Sequence, residues 1–163
     1  MTTAYLGLGA NLGDRRRTIE RALDELAAMG IGIAARSPMY ETDPVAPDAQ
    51  PAYLNAAARV ETNLSARALL YVCLDVERAL GRVRPAGRPA APRAIDIDLL
   101  LYGDAIIDEP PILIVPHPRL LERAFVRIPL ADVALPGLVH PATREPLDRA
   151  APAASVRRAE AAE

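Results

Sequence analysis

Two aspartates stand two positions apart inside an otherwise apolar run, Ala94-Ile95-Asp96-Ile97-Asp98-Leu99-Leu100-Leu101-Tyr102. Its isoleucines and leucines suit a buried strand, a place that excludes carboxylates unless something compensates their charge. Alternation along a strand points Asp96 and Asp98 to the same side, roughly 6.5–7 Å apart. Carboxylates so placed suit a hard cation such as Mg²⁺, which takes oxygen ligands and completes its shell with phosphate oxygens and water. Arg82, Arg84, Arg88 and Arg93 stand just upstream, and guanidinium forks bind phosphate oxygens bidentately. Phosphoryl transfer needs positioning and charge neutralisation more than covalent help, so the set suggests a metal–polyphosphate site. Taken alone, D-x-D is weak: it also occurs at strand ends and in unrelated metal-nucleotide transferases. The arginines can equally belong to a solvated loop making weak ion pairs. His117, between Pro116 and Pro118, can be a further phosphate ligand or a structural histidine.

The surrounding elements must position these groups. Residues 2–9 alternate and read as a first strand, followed by Gly7-Leu8-Gly9-Ala10-Asn11-Leu12-Gly13-Asp14 as a turn. Its glycines miss the G-x-G-x-x-G spacing of dinucleotide binders, and tight strand–helix packing accounts for them. Ile19, Ala22, Leu23, Leu26 and Met29 recur at helical steps, predicting a helix over 15–29 stopped by Gly30. A second strand is expected over 31–36. The span 37–51 then reads as a long proline-rich loop, of the kind that serves as a lid or binding loop. Over 53–62, Leu54, Ala56, Ala58 and Val60 mark one face of a third strand, with Tyr53, Asn55, Arg59 and Glu61 on the other. At this point an exposed strand face explains Tyr53 and Asn55 as well as any binding role does.

Ser65 can cap a second helix to about residue 80, with Leu69, Cys73, Val76 and Leu80 as its buried stripe and Cys73 as a small core hydrophobe. Gly103-Asp104 signals a turn that pairs Tyr102 with 105–107 in a short hairpin. Residues 112–115 are extended, 120–126 a short helix and 130–133 a further helical turn. The alanine-, arginine- and glutamate-rich tail lacks an apolar stripe and is expected to be a frayed helix or disordered. The order β-α-β-β-α-β predicts an α+β, ferredoxin-like sandwich, an antiparallel sheet with helices packed on it, plus short C-terminal helices. One domain over 1–146 with a tail over 147–163 is expected.

Composition narrows the classes. A chain of 163 residues, half of them hydrophobic, can bury a sizeable core. A net charge of −2 with dispersed signs gives no basic field for nucleic acid. One cysteine excludes an intramolecular disulfide, and two histidines argue against a Cys/His zinc cluster. All nineteen basic residues are arginines, which excludes a lysine Schiff base and a P-loop lysine. With no apolar leader and no span of about eighteen apolar residues, the expectation is a cytoplasmic protein away from membranes.

Several stretches jointly carry a family resemblance. They are Tyr5-Leu-Gly-Leu-Gly-Ala-Asn-Leu-Gly-Asp14, Ser37-Pro-Met-Tyr-Glu-Thr-Asp-Pro44, Gln50-Pro-Ala-Tyr-Leu-Asn-Ala-Ala57 and Gly81-Arg-Val-Arg84. Pro92-Arg-Ala-Ile-Asp-Ile-Asp-Leu-Leu-Leu-Tyr-Gly103, Val115-Pro-His-Pro-Arg-Leu120 and Glu122-Arg-Ala-Phe-Val126 complete the set, in family order. The chain resembles the 6-hydroxymethyl-7,8-dihydropterin pyrophosphokinases, whose fold is a ferredoxin-like α+β sandwich. The resemblance implies an enzyme of folate biosynthesis that moves pyrophosphate from ATP, its co-substrate, to the dihydropterin alcohol, leaving AMP.

It also implies residue roles. Asp96 and Asp98 would bind two Mg²⁺ ions. Arg82, Arg84 and Arg93 would be phosphate-neutralising catalytic arginines. Leu99, Ile114, His117 and Arg123 would complete the ATP site with Arg84 and Arg93, the first two mainly through backbone groups. Tyr53 and Phe125 would sandwich the pterin ring, while Asn55 with Thr42, Asp43 and Val45 would read its edge. Glu77 would support the active-site loop from the second helix. ATP and the dihydropterin are the expected partners of a monomer, with neither nucleic acid nor membrane. The family's Arg-Trp-Gly-Pro-Arg run is replaced here by Arg88-Pro-Ala-Ala-Pro-Arg93, one residue longer and without tryptophan. A weaker seal against water is expected, with activity retained and ATP affinity or speed altered. A non-catalytic ferredoxin-like binding module and a D-x-D transferase acting on another acceptor are the competing readings.

Overall fold

Alternation of apolar and polar residues is enough to build the first long strand, β1 (Thr2–Ala10), and its neighbour β4 (Tyr53–Thr62). A computed structural model describes residues 1–43, 52–81 and 94–159 of the chain. Between those strands come α1 (Arg15–Ala28), β2 (Gly32–Arg36) and β3 (Tyr40–Thr42). After them follow α2 (Ala66–Ala79), β5 (Asp96–Tyr102), β6 (Ile107–Glu109), β7 (Leu113–Val115), a 3₁₀ turn (Leu120–Glu122), α3 (Ala124–Val133) and β8 (Val156–Arg158).

The helices begin where side-chain acceptors meet unsatisfied backbone donors. Asp14 accepts from the Arg17 N–H at 3.2 Å, and Ser65 from the Ala68 N–H at 3.1 Å. Gly30 and Gly81 follow the helix ends with φ of 89° and 88°, a left-handed conformation that glycine adopts without penalty.

All pairing in the main sheet is antiparallel, in the order β5-β1-β4-β3-β8, with β2 beside the other end of β4. This is the expected ferredoxin-like arrangement. β2 and β3 share one neighbour because the chain breaks between them at Ser37-Pro38-Met39. Pro38 has no N–H to give a ladder, and Ser37 repairs the gap: its Oγ accepts from the Ala57 N–H at 2.8 Å and donates to the Pro38 carbonyl.

One face of the sheet packs on α1 and α2 through Leu6, Leu8, Val60, Ile19, Leu23, Leu26, Leu69 and Val76. The other packs on α3 through Tyr5, Ala57, Leu100, Leu101, Leu130 and Val133. A register shift between Tyr5 and Leu6 lets Leu99 face the first core while Leu100 and Leu101 both join the second. That bulge explains why the run Leu99-Leu100-Leu101 does not alternate. α3 is fastened by Arg59, which donates to the Val133 carbonyl at 2.7 Å, and by Tyr5, whose hydroxyl accepts from the Leu135 N–H at 3.1 Å.

Four expectations are corrected. The turn at Gly103-Asp104 does not close a hairpin of Tyr102; β6 instead pairs with β7 across Pro110-Pro111, and Arg67 of α2 ion-pairs with Glu109. The two short helical pieces after Leu120 are a 3₁₀ turn and one continuous α3 that accommodates a buried Pro129 near its middle. The span expected to be loop contains β3. The tail is neither frayed helix nor disordered over 147–159: Leu147 is 1% exposed in the second core, and β8 pairs with β3. Burying Leu147 contributes about 1.5–3 kcal/mol towards ordering this segment, beside the backbone pairing of β8 with β3. No helix among the described residues is long and apolar enough to cross a membrane.

Candidate active site

Three rows of residues cross the face of the sheet that carries α3. Tyr5 pairs with Arg59 and Leu101, Gly7 with Ala57 and Asp98, and Gly9 with Asn55 and Asp96. Directly opposed residues share a face, so this surface passes from apolar at the Tyr5 row, under α3, to polar at the Gly9 row. The row continues to Tyr40, which pairs with Asn55. Strand geometry thus sets Asp96 and Asp98 on one side, as alternation predicts. Asp98 is exposed and Asp96 half-buried.

The glycines opposite the aspartates leave room for the side chains packed against them. A Cβ on Gly9 would lie 3.0 Å from the Asn55 Oδ1, and a Cβ on Gly7 would lie 3.4 Å from Leu100. Asn55 is 7% exposed and donates through Nδ2 to the Thr42 Oγ1 at 2.9 Å. Alternation also puts Tyr53 and Thr42 on this face. Among the described residues no group of three or more His, Cys, Asp or Glu side chains converges as a metal cage. Two carboxylates on one face, one of them exposed, still fit Mg²⁺, which commonly binds through one or two carboxylates plus substrate phosphates.

His117 closes the aspartate end. Its backbone N–H donates to the Leu100 carbonyl at 2.9 Å, tying the loop to β5, and its Nδ1 accepts from the Arg119 N–H at 3.2 Å. That bond leaves the proton of the neutral ring on Nε2. Burial chiefly lowers the His117 pKa; Asp98 raises it, while Arg123 and Arg119 lower it further. Asp98, His117 and Arg123 therefore share one electrostatic neighbourhood. The Arg123 guanidinium lies 5.4 Å from the Phe125 ring centroid, a cation–π contact that joins an expected ATP ligand to an expected pterin wall. A cavity of about 330 Å³ lies against the β6–β7 hairpin, bounded by Ile114, His117, Leu121 and His140 among others.

Glu77 is 2% exposed, and its Oε2 accepts from the Ile97 N–H at 2.8 Å, between the two aspartates on the outer edge of β5. Burial, aided by Glu77 and Asp98, pushes the neighbouring Cys73 thiol up to about 12, so it stays protonated. The Leu99 side chain is in the first core, facing away from the aspartates, which leaves its backbone for any ligand contact. The Asp43 carboxylate is held by Arg157 at 3.0 and 3.2 Å and stands below its ordinary pKa chiefly because of that hydrogen bond. Val45, Arg82, Arg84 and Arg93, with the tryptophan-free stretch, lie outside the described residues.

Sequence reasoning missed three residues at or behind this face. Tyr40 lay in the presumed loop; its hydroxyl donates to Asp132 of α3, and burial with that bond pushes its pKa up to about 12. Arg157 lay in the presumed tail. Asn11 is fully buried with neither amide atom hydrogen-bonded, one position beyond the Ala10–Leu54 pair. An orphaned buried amide group costs about 1–3 kcal/mol, yet nothing in a glycine-rich turn signals such burial.

The fold is that of an α+β sandwich, with carboxylates and an amide on one face at one end of its antiparallel sheet. The description 7,8-dihydro-6-hydroxymethylpterin-pyrophosphokinase (HPPK) matches residues 5–135, and the chain belongs to that family. It is 49% identical over 141 residues to the 2-amino-4-hydroxy-6-hydroxymethyldihydropteridine pyrophosphokinase of Methylorubrum extorquens, covering 85% of this chain and 86% of that one. The enzyme of the same name from Pseudomonas aeruginosa is 40% identical over 131 residues, covering 80% and 79%. The folic acid synthesis protein fol1 of Schizosaccharomyces pombe is 40% identical over 148 residues; the match spans 90% of this chain and 20% of that protein. A crystal structure of an HPPK-DHPS in complex with substrates superposes with a TM-score of 0.69 at 14% identity, covering 90% of this chain and 42% of that one. That likeness supports the fold.

Proposed function

We propose that the Gly7–Asp98 and Gly9–Asp96 rows form the floor of a two-substrate cleft, with ATP on the Asp98–His117 side and the pterin on the Asn55–Thr42 side. The family reaction transfers pyrophosphate from ATP to 6-hydroxymethyl-7,8-dihydropterin in folate biosynthesis, and it is the reaction of this chain. The observation that carries the site reading is the Gly9 row, which pairs a metal-type carboxylate with a buried, hydrogen-bonded amide on the same face.

Asp96 and Asp98 would hold two Mg²⁺ ions; bound there, the metal supplies neutralisation of the polyphosphate and polarisation of the attacking oxygen. The hydroxymethyl oxygen attacks the β-phosphorus in line; the new O–P bond forms as the bond to the α-phosphate oxygen breaks, AMP leaves with that oxygen, and the hydroxyl proton passes to solvent. Arg82, Arg84 and Arg93 would neutralise charge on the transferred group, with His117 donating from Nε2 and Arg123 adding a fixed positive charge. Tyr53 and Phe125 would stack on the pterin while Asn55, Thr42 and the backbone near Asp43 and Val45 read its edge. Holding both reactants so contributes by proximity.

The test is AMP release with ATP, Mg²⁺ and the hydroxymethyldihydropterin. Asp96→Asn and Asp98→Asn are each expected to lower turnover at least a thousandfold, about 4 kcal/mol of lost transition-state stabilisation. Pterin affinity is expected to change less than threefold. Tight pterin binding by the unaltered protein with no AMP would assign it to the class of binding modules.

A further inference from the structure

The C-terminal strand reaches the pterin side of the cleft from behind. β8 pairs with β3 through Val156–Thr42, Arg157–Glu41 and Arg158–Tyr40, and the Ala159 N–H donates to the Met39 carbonyl at 2.8 Å. Alternation puts Glu41 on the side of the sheet away from Thr42, and a linked set of charges grips it there. Arg15 of α1 donates to the Glu41 Oε1 at 2.9 Å and to the Ala52 carbonyl at 2.7 Å. Arg157 binds both oxygens of Asp43 at 3.0 and 3.2 Å and stands 4.0 Å from the other Glu41 oxygen. Arg15, Glu41, Arg157 and Asp43 thus form one chain of ion pairs that fastens the backbone at both Asp43 and Ala52. These are the positions where the chain leaves β3 after Thr42 and returns at Tyr53.

We propose that Arg157 is a positioning residue for pterin recognition, fixing the end of β3 so that Thr42 and Asn55 meet the substrate edge in register. This rests on the pterin assignment made above and deepens it. β8 lies beyond residues 5–135, the span that matches the family. A planar, bidentate guanidinium sets both distance and angle, which a point charge does not. The pairs are partly exposed, so the effect is a modest one on geometry and is screened by salt.

The experiment compares Arg157→Ala, Arg157→Lys and the exchange Arg157→Asp with Asp43→Arg, using Arg149→Ala as a control for lost surface charge. KM for pterin and for ATP, kcat and Tm are measured, and pterin Kd is titrated directly beside a non-hydrolysable ATP analogue. Arg157→Ala is expected to raise pterin KM and Kd about fivefold, with KM for ATP and kcat within twofold. Arg157→Lys is expected to fall between, and raised salt to weaken pterin binding by the unaltered protein more than by Arg157→Ala. Equal losses for both substrates, a fall in Tm alone, or pterin affinity within twofold would overturn the proposal. Failure of the site reading shows separately, as an unaltered protein that neither binds pterin nor releases AMP.

Discussion

Replacing Gly9 by alanine tests the proposed pterin side of the site, where Gly9 lies against Asn55. The added Cβ would lie 3.0 Å from the Asn55 Oδ1, short of the 3.4 Å at which ordinary contact begins, so the amide must retreat by about 0.4 Å. Asn55 cannot yield freely: it is 7% exposed and bonded to Thr42 at 2.9 Å. A displacement of about 1 Å in a positioning group can cost a hundredfold, so about 0.4 Å is expected to weaken pterin binding roughly fivefold to tenfold. Stability should move little. Gly→Ala gains about 0.4–1 kcal/mol by restricting the unfolded chain, while straining one buried hydrogen bond costs about 0.5–1.5 kcal/mol. The two nearly cancel, and Tm is expected to shift by less than about 4 °C. Gly7→Ala is the internal control, because the nearest atoms its Cβ would meet belong to the Leu100 side chain, at 3.4 Å or more. Titration of pterin without Mg²⁺ compares the two variants directly. Unchanged pterin affinity in Gly9→Ala, or an equal loss in Gly7→Ala, would refute the placement of Asn55 against the substrate.

Two further expectations concern titratable groups. Burial chiefly lowers the His140 pKa, partly offset by Glu145, and its Nδ1 accepts from the Ala142 and Thr143 N–H groups at 3.1 and 3.2 Å. With the folded pKa below the unfolded one, the stability is present above about pH 6.5 and is lost as pH falls through the folded value. His140→Gln should therefore flatten the fall of Tm between neutral pH and pH 5, and an unchanged slope would count against it. Cys73 is fully buried with its thiol pushed up to about 12, so a disulfide reagent should label it only as fast as the protein unfolds; rapid labelling of native protein would contradict this.

Much of the architecture is a local property of the chain. The stripes of α1 and α2, the Ser65 cap, the alternation of β1 and β4 and the shared face of Asp96 and Asp98 follow from periods of 3.6 and 2 over short windows. Those windows hold the necessary residues, so the sheet and its carboxylates were legible without a structure.

What tertiary structure decided lies where partners are distant in sequence. The bulge at Leu100 depends on how β5 meets β1, so no window on β5 alone shows which leucines face which core. Pro129 divided the helical signal locally, yet burial of Leu130 and Val133 against the sheet holds α3 in one piece. Arg157 and Asp43 meet across 114 residues, in a segment whose composition suggests no structure, because backbone pairing with β3 and the burial of Leu147 supply what local propensity lacks. The two aspartates are therefore read from the sequence, whereas the glycines set opposite them, the Asn55 amide against Gly9 and the strand that pairs with β3 come from long-range register.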